Sequence, residues 1–207
     1  MIGATILFAI LANFGPNIGR IDGVIFLIAF IAFLVYTIKL AKKSQAEEKE
    51  TIETNNKNAN VIMSILKIVL GIVLLKFGGD ISVDNAVIVA RNIGISEKII
   101  GLTIVAIGTS LPELITSVVA AFKKNADIAI GNIVGSNIFN ILFIIGVSAV
   151  ISPINYAISY NVELIWLLVA CILLLCFAAF GKKDVMTRKN GITYLIIYAL
   201  YIASLIS

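Results

Sequence analysis

The strongest constraint on this chain is a series of long apolar blocks separated by short polar stretches. Several blocks approach the length of about 20 residues that a helix needs to cross the hydrocarbon core of a bilayer. Only 14% of the residues are charged, against roughly 25% in soluble domains, so a water-soluble globular fold is excluded. We therefore predict an all-α, polytopic transmembrane bundle. The predicted spans are 21–40, 61–79, 99–121, 128–150, 161–181 and 191–206.

A seventh apolar stretch, residues 2–14, is too short to span a membrane. It also lacks the basic segment with which a signal peptide begins. Two interpretations are open: the end of a helix whose beginning lies outside this sequence, or an interfacial or signal-like segment.

The net charge of +4 is explained by where the basic residues lie. Eleven of them lie in or beside three connections that fall on one side of the membrane if the spans alternate: Lys39, Lys42, Lys43, Lys49, Lys57, Lys123, Lys124, Lys182, Lys183, Arg188 and Lys189. The opposite connections carry Arg20, Arg91 and Lys98. Because basic loops stay in the cytoplasm, we predict a cytoplasmic 41–60 loop and an extracellular C-terminus, in the plasma membrane. The charge requires no nucleic-acid partner.

The chain contains no histidine, which removes imidazole metal sites and histidine-dependent acid–base chemistry. Cys171 and Cys176 lie in one apolar span, five residues apart, and do not match a zinc-binding spacing. We therefore predict that the protein is not an enzyme.

The segment 41–60 is rich in charge and asparagine and has no apolar period, which predicts a mobile loop. It divides the chain into a segment 1–40, with the apolar stretch and the first complete span, and a segment 61–207 with five spans.

The third span contains Glu113, the one acidic residue that the hydropathy places at mid-membrane depth. A charge there costs about 2.5 to 3.5 kcal/mol for an aspartate or a basic residue, and such groups usually face a cavity or a partner. A protonated glutamate bonded to a neighbouring helix is the structural alternative.

The residues before Glu113 predict a broken helix. Pro112 has no N–H and its ring disrupts the bond to the carbonyl of Gly108, and Gly108 itself loosens the helix. Thr109 and Ser110 add two hydroxyl oxygens at this break. Freed carbonyls are tolerated at membrane depth only where protein buries them or where they line a watery cavity. The result is a set of hard oxygen donors, which suit Ca²⁺ and Na⁺.

The fourth span contains a second polar pattern, GNIVGSNIFN at 131–140. Asn132, Ser136 and Asn140 recur every four residues and so form a stripe along a helix, with Asn137 beside it. Gly131 and Gly135 would allow another helix to approach closely. Interhelical hydrogen bonding alone is the alternative reading of the stripe.

The two motifs, GLTIVAIGTSLPELITS at 101–117 and GNIVGSNIFNILFIIG at 131–146, resemble the α-repeat of the Ca²⁺:cation antiporter superfamily, sodium/calcium exchanger type. The flanking GGDISVDNAVIVARNIGIS at 78–96 and ISPI at 151–154 are also similar to that family. The α-repeat would occupy 101–140.

The resemblance implies an exchanger fold in which two inverted repeats enclose a site for Ca²⁺ and Na⁺. Glu113 would be the carboxylate ligand, while Thr109, Ser110, Ser136 and Asn140 would supply neutral oxygens. Asn137 matches the motif with a less certain role. Some members of the family carry aspartate where this chain has Asn140, and in them the aspartate goes with co-transport of K⁺. The resemblance therefore implies that this chain is independent of K⁺. The transported ions would be Ca²⁺ and Na⁺ or H⁺, with no prosthetic group.

The sequence contains one repeat, and no second copy of either motif occurs in it. Because Ca²⁺ takes about 6 to 8 oxygens and such sites lie between two repeats, one repeat supplies only half of the expected ion site. We expect the chain to be the C-terminal part of a longer exchanger, with pairing of two chains in inverted topology as the alternative. The predicted function is secondary antiport of Ca²⁺ for Na⁺ by alternating access, in a lipid bilayer. An H⁺/Ca²⁺ exchanger, a gated cation channel and a non-transporting assembly subunit remain open.

Overall fold

The computed structural model describes residues 1–48, 61–180 and 186–206, and these are mainly helical. The α-helices are α1 (Ile2–Asn13), α2 (Arg20–Glu48), α3 (Val61–Asn92), α4 (Glu97–Ile100), α5 (Ala106–Thr109), α6 (Leu111–Phe122), α7 (Ala126–Phe139), α8 (Ile145–Ile151), α9 (Asn161–Phe180) and α10 (Arg188–Ile206). Two π-helical turns interrupt the series, π1 (Gly101–Val105) and π2 (Asn140–Ile144). A 3-10 turn covers Ile158–Tyr160, and the strands β1 (Asn17–Ile18) and β2 (Ile154–Asn155) pair antiparallel.

Helices that are long and apolar enough to cross a membrane occupy most of the predicted spans. Among the described residues there are four: 20–43, 62–92, 126–151 and 158–180. The bent pair Gly101–Thr109 and Leu111–Phe122 makes a fifth if it is one broken span. The helix α10 forms over the sixth predicted span but is not among them, and residues 2–14 contain the short apolar helix α1. The predicted all-α transmembrane architecture is confirmed.

The first part of the predicted 41–60 loop is helical, because α2 continues to Glu48. Its remainder, residues 49–60, lies outside the described residues. The chain separates into two compact units. The predicted division of the chain at this loop stays a prediction. Unit 1 combines residues 1–55 with 134–186, and unit 2 combines 56–133 with 187–207.

Unit 1 is held together by a close approach of α2 and α8. A Cβ at Gly23 would lie 2.7 Å from the carbonyl oxygen of Gly146 and 2.9 Å from the amide nitrogen of Val150, so only glycine fits. Phe26, one turn further along α2, and Ala149 of α8 are completely buried. In a bilayer, helices associate through close van der Waals packing at small residues, and this contact joins α2 to α8 in that way.

Unit 2 has a second close approach, where α3 crosses the helix that carries the first motif. Gly108 of α5 is buried, and a Cβ there would lie 1.8 Å from Cγ2 of Val83. The helix α3 ends at Asn92 and is followed by Gly94, whose φ of +83° lies in the left-handed region that glycine adopts without strain. The amide of Ile95 donates to the carbonyl of Ala90 at 3.0 Å, which closes the helix end.

Candidate ion-binding site

The helix that carries the first motif breaks at Ser110. The helix α5 ends at Thr109, Ser110 has φ −94° and ψ 2°, and α6 begins at Leu111. The two helical segments on either side are bent by 53°. Pro112 lies in the first turn of α6, where its missing N–H costs no intrahelical bond. The predicted break across Gly108 to Pro112 is therefore confirmed, and its cause is the proline.

The break concentrates oxygen donors in a short stretch of chain. Glu113 lies in the first turn of α6 and is half-buried, and a helix N-terminus favours a negative charge at this position. Thr109 and Ser110 are exposed. The hydroxyl of Thr109 donates to the carbonyl of Ala106 at 3.1 Å, so its lone pairs stay available to accept or to bind a cation. The predicted residues Thr109, Ser110 and Glu113 thus lie within five residues at the break, and their joint binding of an ion stays a prediction.

Asn132 fixes the backbone of this acidic half-helix. Its side-chain amide donates to the carbonyl oxygen of Glu113 at 3.0 Å and to the hydroxyl of Ser117 at 3.0 Å. The Ser117 hydroxyl is buried and in turn donates to the carbonyl of Ala129 at 3.5 Å. Asn132 belongs to the polar stripe on this span, and its amide nitrogen is committed to α6. It therefore holds the backbone at Glu113 in position.

The second motif lies on α7 and π2. Ser136 and Asn137 are half-buried on α7, whereas Asn140 is exposed and begins the π-helical turn π2. These three residues belong to unit 1, and the residues of the helix break belong to unit 2. Their joint participation in one ion site stays a prediction. A Cβ at Gly131 or Gly135 would meet no described atom within 4 Å, so the close helix approach expected there is not seen in this part of the chain.

The two π-helical turns were not predicted. The turn π1 begins at Gly101, the first residue of the first motif, and π2 begins at Asn140, the last residue of the second polar pattern. Such turns occur often at functional sites, because the extra residue changes which carbonyls and side chains face a cavity. No sequence periodicity marks them, and only the glycine at 101 hints at irregular backbone.

The electrostatics of unit 2 include two surface ion pairs. Lys76 of α3 lies 2.9 Å from Asp80, one turn later, and both side chains are exposed. Arg91 binds Glu97 through two hydrogen bonds, which lower the pKa of the Glu97 carboxyl. Lys76 lies within a predicted span, and the sequence did not predict its pairing with Asp80.

Among the described residues, no group of three or more His, Cys, Asp and Glu side chains is placed to hold a metal ion.

Comparison with known proteins places these features in a family. The sequence profile described as "Sodium/calcium exchanger protein" matches residues 63–207. A sodium/calcium exchanger of Methanosarcina acetivorans is 46% identical over 95 residues, which are 46% of this chain and 27% of that protein. Sodium/potassium/calcium exchanger 2 of Homo sapiens is 32% identical over 157 residues, covering 64% of this chain and 24% of its own length.

A solved structure shows the same architecture. The sodium-calcium exchanger NCX_Mj, soaked with 10 mM Na⁺ and zero Ca²⁺, superposes on 98% of this chain with a TM-score of 0.74 and 33% sequence identity. The chain covers 64% of that structure, and it spans less than half of the two relatives above. From the profile match over residues 63–207 and the shared helical architecture, we conclude that the chain belongs to the sodium/calcium exchanger protein family, which consists of membrane transporters and not enzymes.

Proposed function

We propose that this chain carries one ion-binding repeat of a secondary antiporter that exchanges Ca²⁺ for Na⁺ by alternating access. The observation that carries the proposal is the helix break at Ser110, which presents two hydroxyl groups and the Glu113 carboxyl within five residues. In transporters with broken helices, unwound backbone carbonyls and the C-terminal ends of half-helices coordinate cations, and the half-helix α5 ends here at Thr109. The family of the chain and the fold shared with NCX_Mj support the exchange of Ca²⁺ for another cation.

The ligands fall into one charged group and several neutral groups. Glu113 supplies the negative charge that a cation requires after it loses its water, and Thr109 and Ser110 supply adjacent oxygens. We assign Ser136 and Asn140 to the same ion on the basis of the motif, as further neutral donors, and give Asn137 a lesser part. Hard cations prefer such oxygen donors, and Ca²⁺ binds them at about 2.3 to 2.6 Å.

The coupling ion is proposed to be Na⁺, with H⁺ as the alternative. Na⁺ and Ca²⁺ compete for the same oxygen atoms, so loading with one releases the other. In an H⁺ exchanger, protonation of Glu113 would displace Ca²⁺ instead. Some members of the family carry aspartate where this chain has Asn140, and from that resemblance we propose independence from K⁺.

The opposite α-repeat is proposed to come from another segment or from a second copy of the chain in inverted orientation. One carboxylate balances only one of the two charges on Ca²⁺, and neutral oxygens leave the remainder uncompensated in a medium of low dielectric constant. We also propose that the 41–60 loop is cytoplasmic, that the C-terminus is extracellular and that the protein resides in the plasma membrane. The one-sided distribution of basic residues supports this orientation.

The test is Ca²⁺ uptake into proteoliposomes that contain the chain together with a polypeptide carrying the opposite repeat. A Na⁺ gradient or a pH gradient is imposed in separate preparations. Uptake driven by the Na⁺ gradient supports the proposal. Uptake driven only by the pH gradient would identify H⁺ as the coupling ion instead of Na⁺. Glu113→Gln should nearly abolish uptake at unchanged protein content, because it removes the charge and keeps the size.

Glu97→Gln is the matched control, because it also removes one carboxylate but at an exposed position outside the spans. It should leave uptake unchanged. Normal uptake by Glu113→Gln would remove Glu113 from the site. A gated channel is distinguished by its independence from counter-ions: Ca²⁺ flux down its own gradient with no exchangeable ion on the opposite side would favour the channel. A chain that transports nothing with any complementary half would favour the assembly subunit.

A further inference from the structure

Unit 1 contains a cavity that has no part in the proposed ion site. Its volume is about 370 Å³, within the range of about 300 to 1,000 Å³ typical of small-molecule sites. Apolar side chains such as Phe8 and Leu167 form much of its wall. Four polar side chains lie among them, from Asn155, Tyr156, Tyr160 and Glu163. All lining residues belong to unit 1.

The Glu163 carboxyl is incompletely satisfied. Its Oε2 atom is buried and accepts no hydrogen bond from any described residue. Glu163 lies in the first turn of α9, where the helix dipole offsets part of the cost of a negative charge but does not replace a hydrogen-bond donor. Buried polar atoms without a partner are rare in native proteins, and leaving one unpaired costs about 1 to 3 kcal/mol. A positively charged ligand in the cavity would stabilise this carboxylate through its charge.

The nearest hydroxyl is committed elsewhere. Tyr156 donates its phenolic hydrogen to Oδ1 of Asn161 at 2.9 Å. The amide of Asn161 also exchanges two hydrogen bonds with the amide of Asn13, at 2.7 and 3.0 Å. Burial, together with the negative charge of Glu163, raises the pKa of Tyr156, so its hydroxyl stays neutral. These hydrogen bonds therefore hold the Tyr156 ring in place. Because the Tyr156 hydroxyl donates to Asn161, it does not donate to the carboxyl of Glu163.

The aromatic rings form a connected wall of this cavity. The ring centroids of Phe8 and Tyr156 lie 5.9 Å apart at an interplanar angle of 86°, and those of Tyr156 and Tyr160 lie 6.0 Å apart. Ring faces carry a negative quadrupole potential that attracts cations, and organic ammonium ions use such surfaces together with a carboxylate. Because the wall is largely apolar, it also suits the carbon substituents of such an ion.

Other ligand classes fit this cavity poorly. A divalent metal ion needs about 6 to 8 oxygens in the case of Ca²⁺, whereas the cavity offers one carboxylate among mainly apolar and aromatic groups. An anion would be repelled by Glu163. We propose that the cavity is a binding site for an organic ammonium group, whose positive charge pairs with the carboxylate of Glu163 in the cavity wall. The group belongs either to a soluble amine or to the headgroup of a lipid, since the cavity lies at the ends of spans beside the β1–β2 pair.

The test is binding of radiolabelled ethanolamine to the full chain in nanodiscs, measured by equilibrium dialysis at constant ionic strength. In discs of phosphatidylglycerol, which carries no ammonium group, we expect saturable binding that Ca²⁺ does not displace. Glu163→Gln should weaken it about tenfold or more, as the loss of a charge-assisted hydrogen bond predicts. Glu97→Gln, which removes an exposed carboxylate outside unit 1, should bind like the unchanged chain.

A second pair of variants tests the aromatic wall. Tyr160→Phe keeps the ring and should retain binding, whereas Tyr160→Leu removes it and should weaken binding about threefold, as expected for an exposed cation–π contact. Both variants preserve the apolar surface, so a folding defect would appear in both. Equal affinities for these two variants would exclude the ring contribution and overturn the cation–π part of the proposal.

Discs that contain phosphatidylethanolamine distinguish the two sources. If the lipid headgroup is the natural ligand, this lipid should reduce ethanolamine binding and should remain with the protein in native mass spectra unless Glu163→Gln is present. Equal ethanolamine binding in both kinds of disc assigns the site to a soluble amine. The proposal is overturned if neither ethanolamine binding nor lipid retention depends on Glu163, or if Ca²⁺ displaces the bound ethanolamine.

Discussion

Replacing Gly108 by alanine should destabilise unit 2 through a steric overlap with α3. The added Cβ would lie 1.8 Å from Cγ2 and 3.1 Å from Cβ of Val83, whereas carbon atoms in contact are separated by about 3.5 to 4.0 Å. Valine is β-branched and strongly prefers one χ1 rotamer in a helix, so its side chain cannot simply turn aside. Either Val83 leaves its preferred rotamer or α3 moves away from α5.

The change in the free energy of unfolding caused by Gly108→Ala is the sum of two opposing contributions. Overpacking of this kind costs about 1 to 3 kcal/mol. Alanine at a helical position regains about 0.5 to 1 kcal/mol relative to glycine. We therefore expect a net loss of up to about 2.5 kcal/mol in the free energy of unfolding, measured by denaturant titration in detergent micelles.

Gly71→Ala is the matched control, because Gly71 also lies within a helix and a Cβ there would meet no described atom within 4 Å. This variant should be neutral or slightly more stable. The double variant Gly108→Ala with Val83→Ala should recover stability relative to Gly108→Ala alone, because the overlapping Cγ2 atom is gone. If Gly108→Ala unfolds at the same denaturant concentration as Gly71→Ala, the close packing of α3 against α5 is refuted.

Three further changes test the site and the topology. Asn132→Ala should reduce stability by about 1 to 3 kcal/mol, because it leaves the carbonyl of residue 113 and a buried hydroxyl without their donor; denaturant titration measures this, and an unchanged midpoint contradicts it. Ser136→Ala and Asn140→Ala should each weaken the apparent affinity for Ca²⁺ or Na⁺ less than the loss of the carboxylate does. If the ion dependence of uptake is unchanged in both variants, the polar stripe serves only helix packing. A cysteine at Ser207 should react with an impermeant thiol reagent in intact cells while one at Ser44 should not, and the reverse pattern would overturn the orientation.

The helix break was predictable because its cause is local. A proline following glycine, threonine and serine removes a backbone donor wherever it occurs, and Pro112 therefore ends the straight helix independently of tertiary contacts. The placement of Glu113 just after the break followed from the same few residues. The long apolar blocks likewise determined the spans, since the bilayer imposes one minimum helix length on all of them.

Features that depend on distant partners were not predictable. Asn132 was recognised as part of a polar stripe, but only the packing of α7 against α6 shows that its amide binds the carbonyl of Glu113. Gly131 and Gly135 had the spacing of a helix contact, whereas the close approaches involve Gly108, Gly23 and their neighbours. The unpartnered carboxyl oxygen of Glu163 gave no signal at all, because an acidic residue in a first helical turn is ordinary in sequence.

The presence of one carboxylate in the repeat limits how far this repeat alone can select between Ca²⁺ and Na⁺. In the proposed site, Glu113 would neutralise a monovalent cation fully but a divalent cation only by half, so selectivity for Ca²⁺ over Na⁺ would depend on the charge supplied by the opposite repeat. As proposed ligands, the neutral donors Ser136 and Asn140 would bind both ions through dipoles, and their loss should weaken both affinities together. A change at Glu113 should instead alter the ratio of the two affinities, because it changes the total charge of the proposed site.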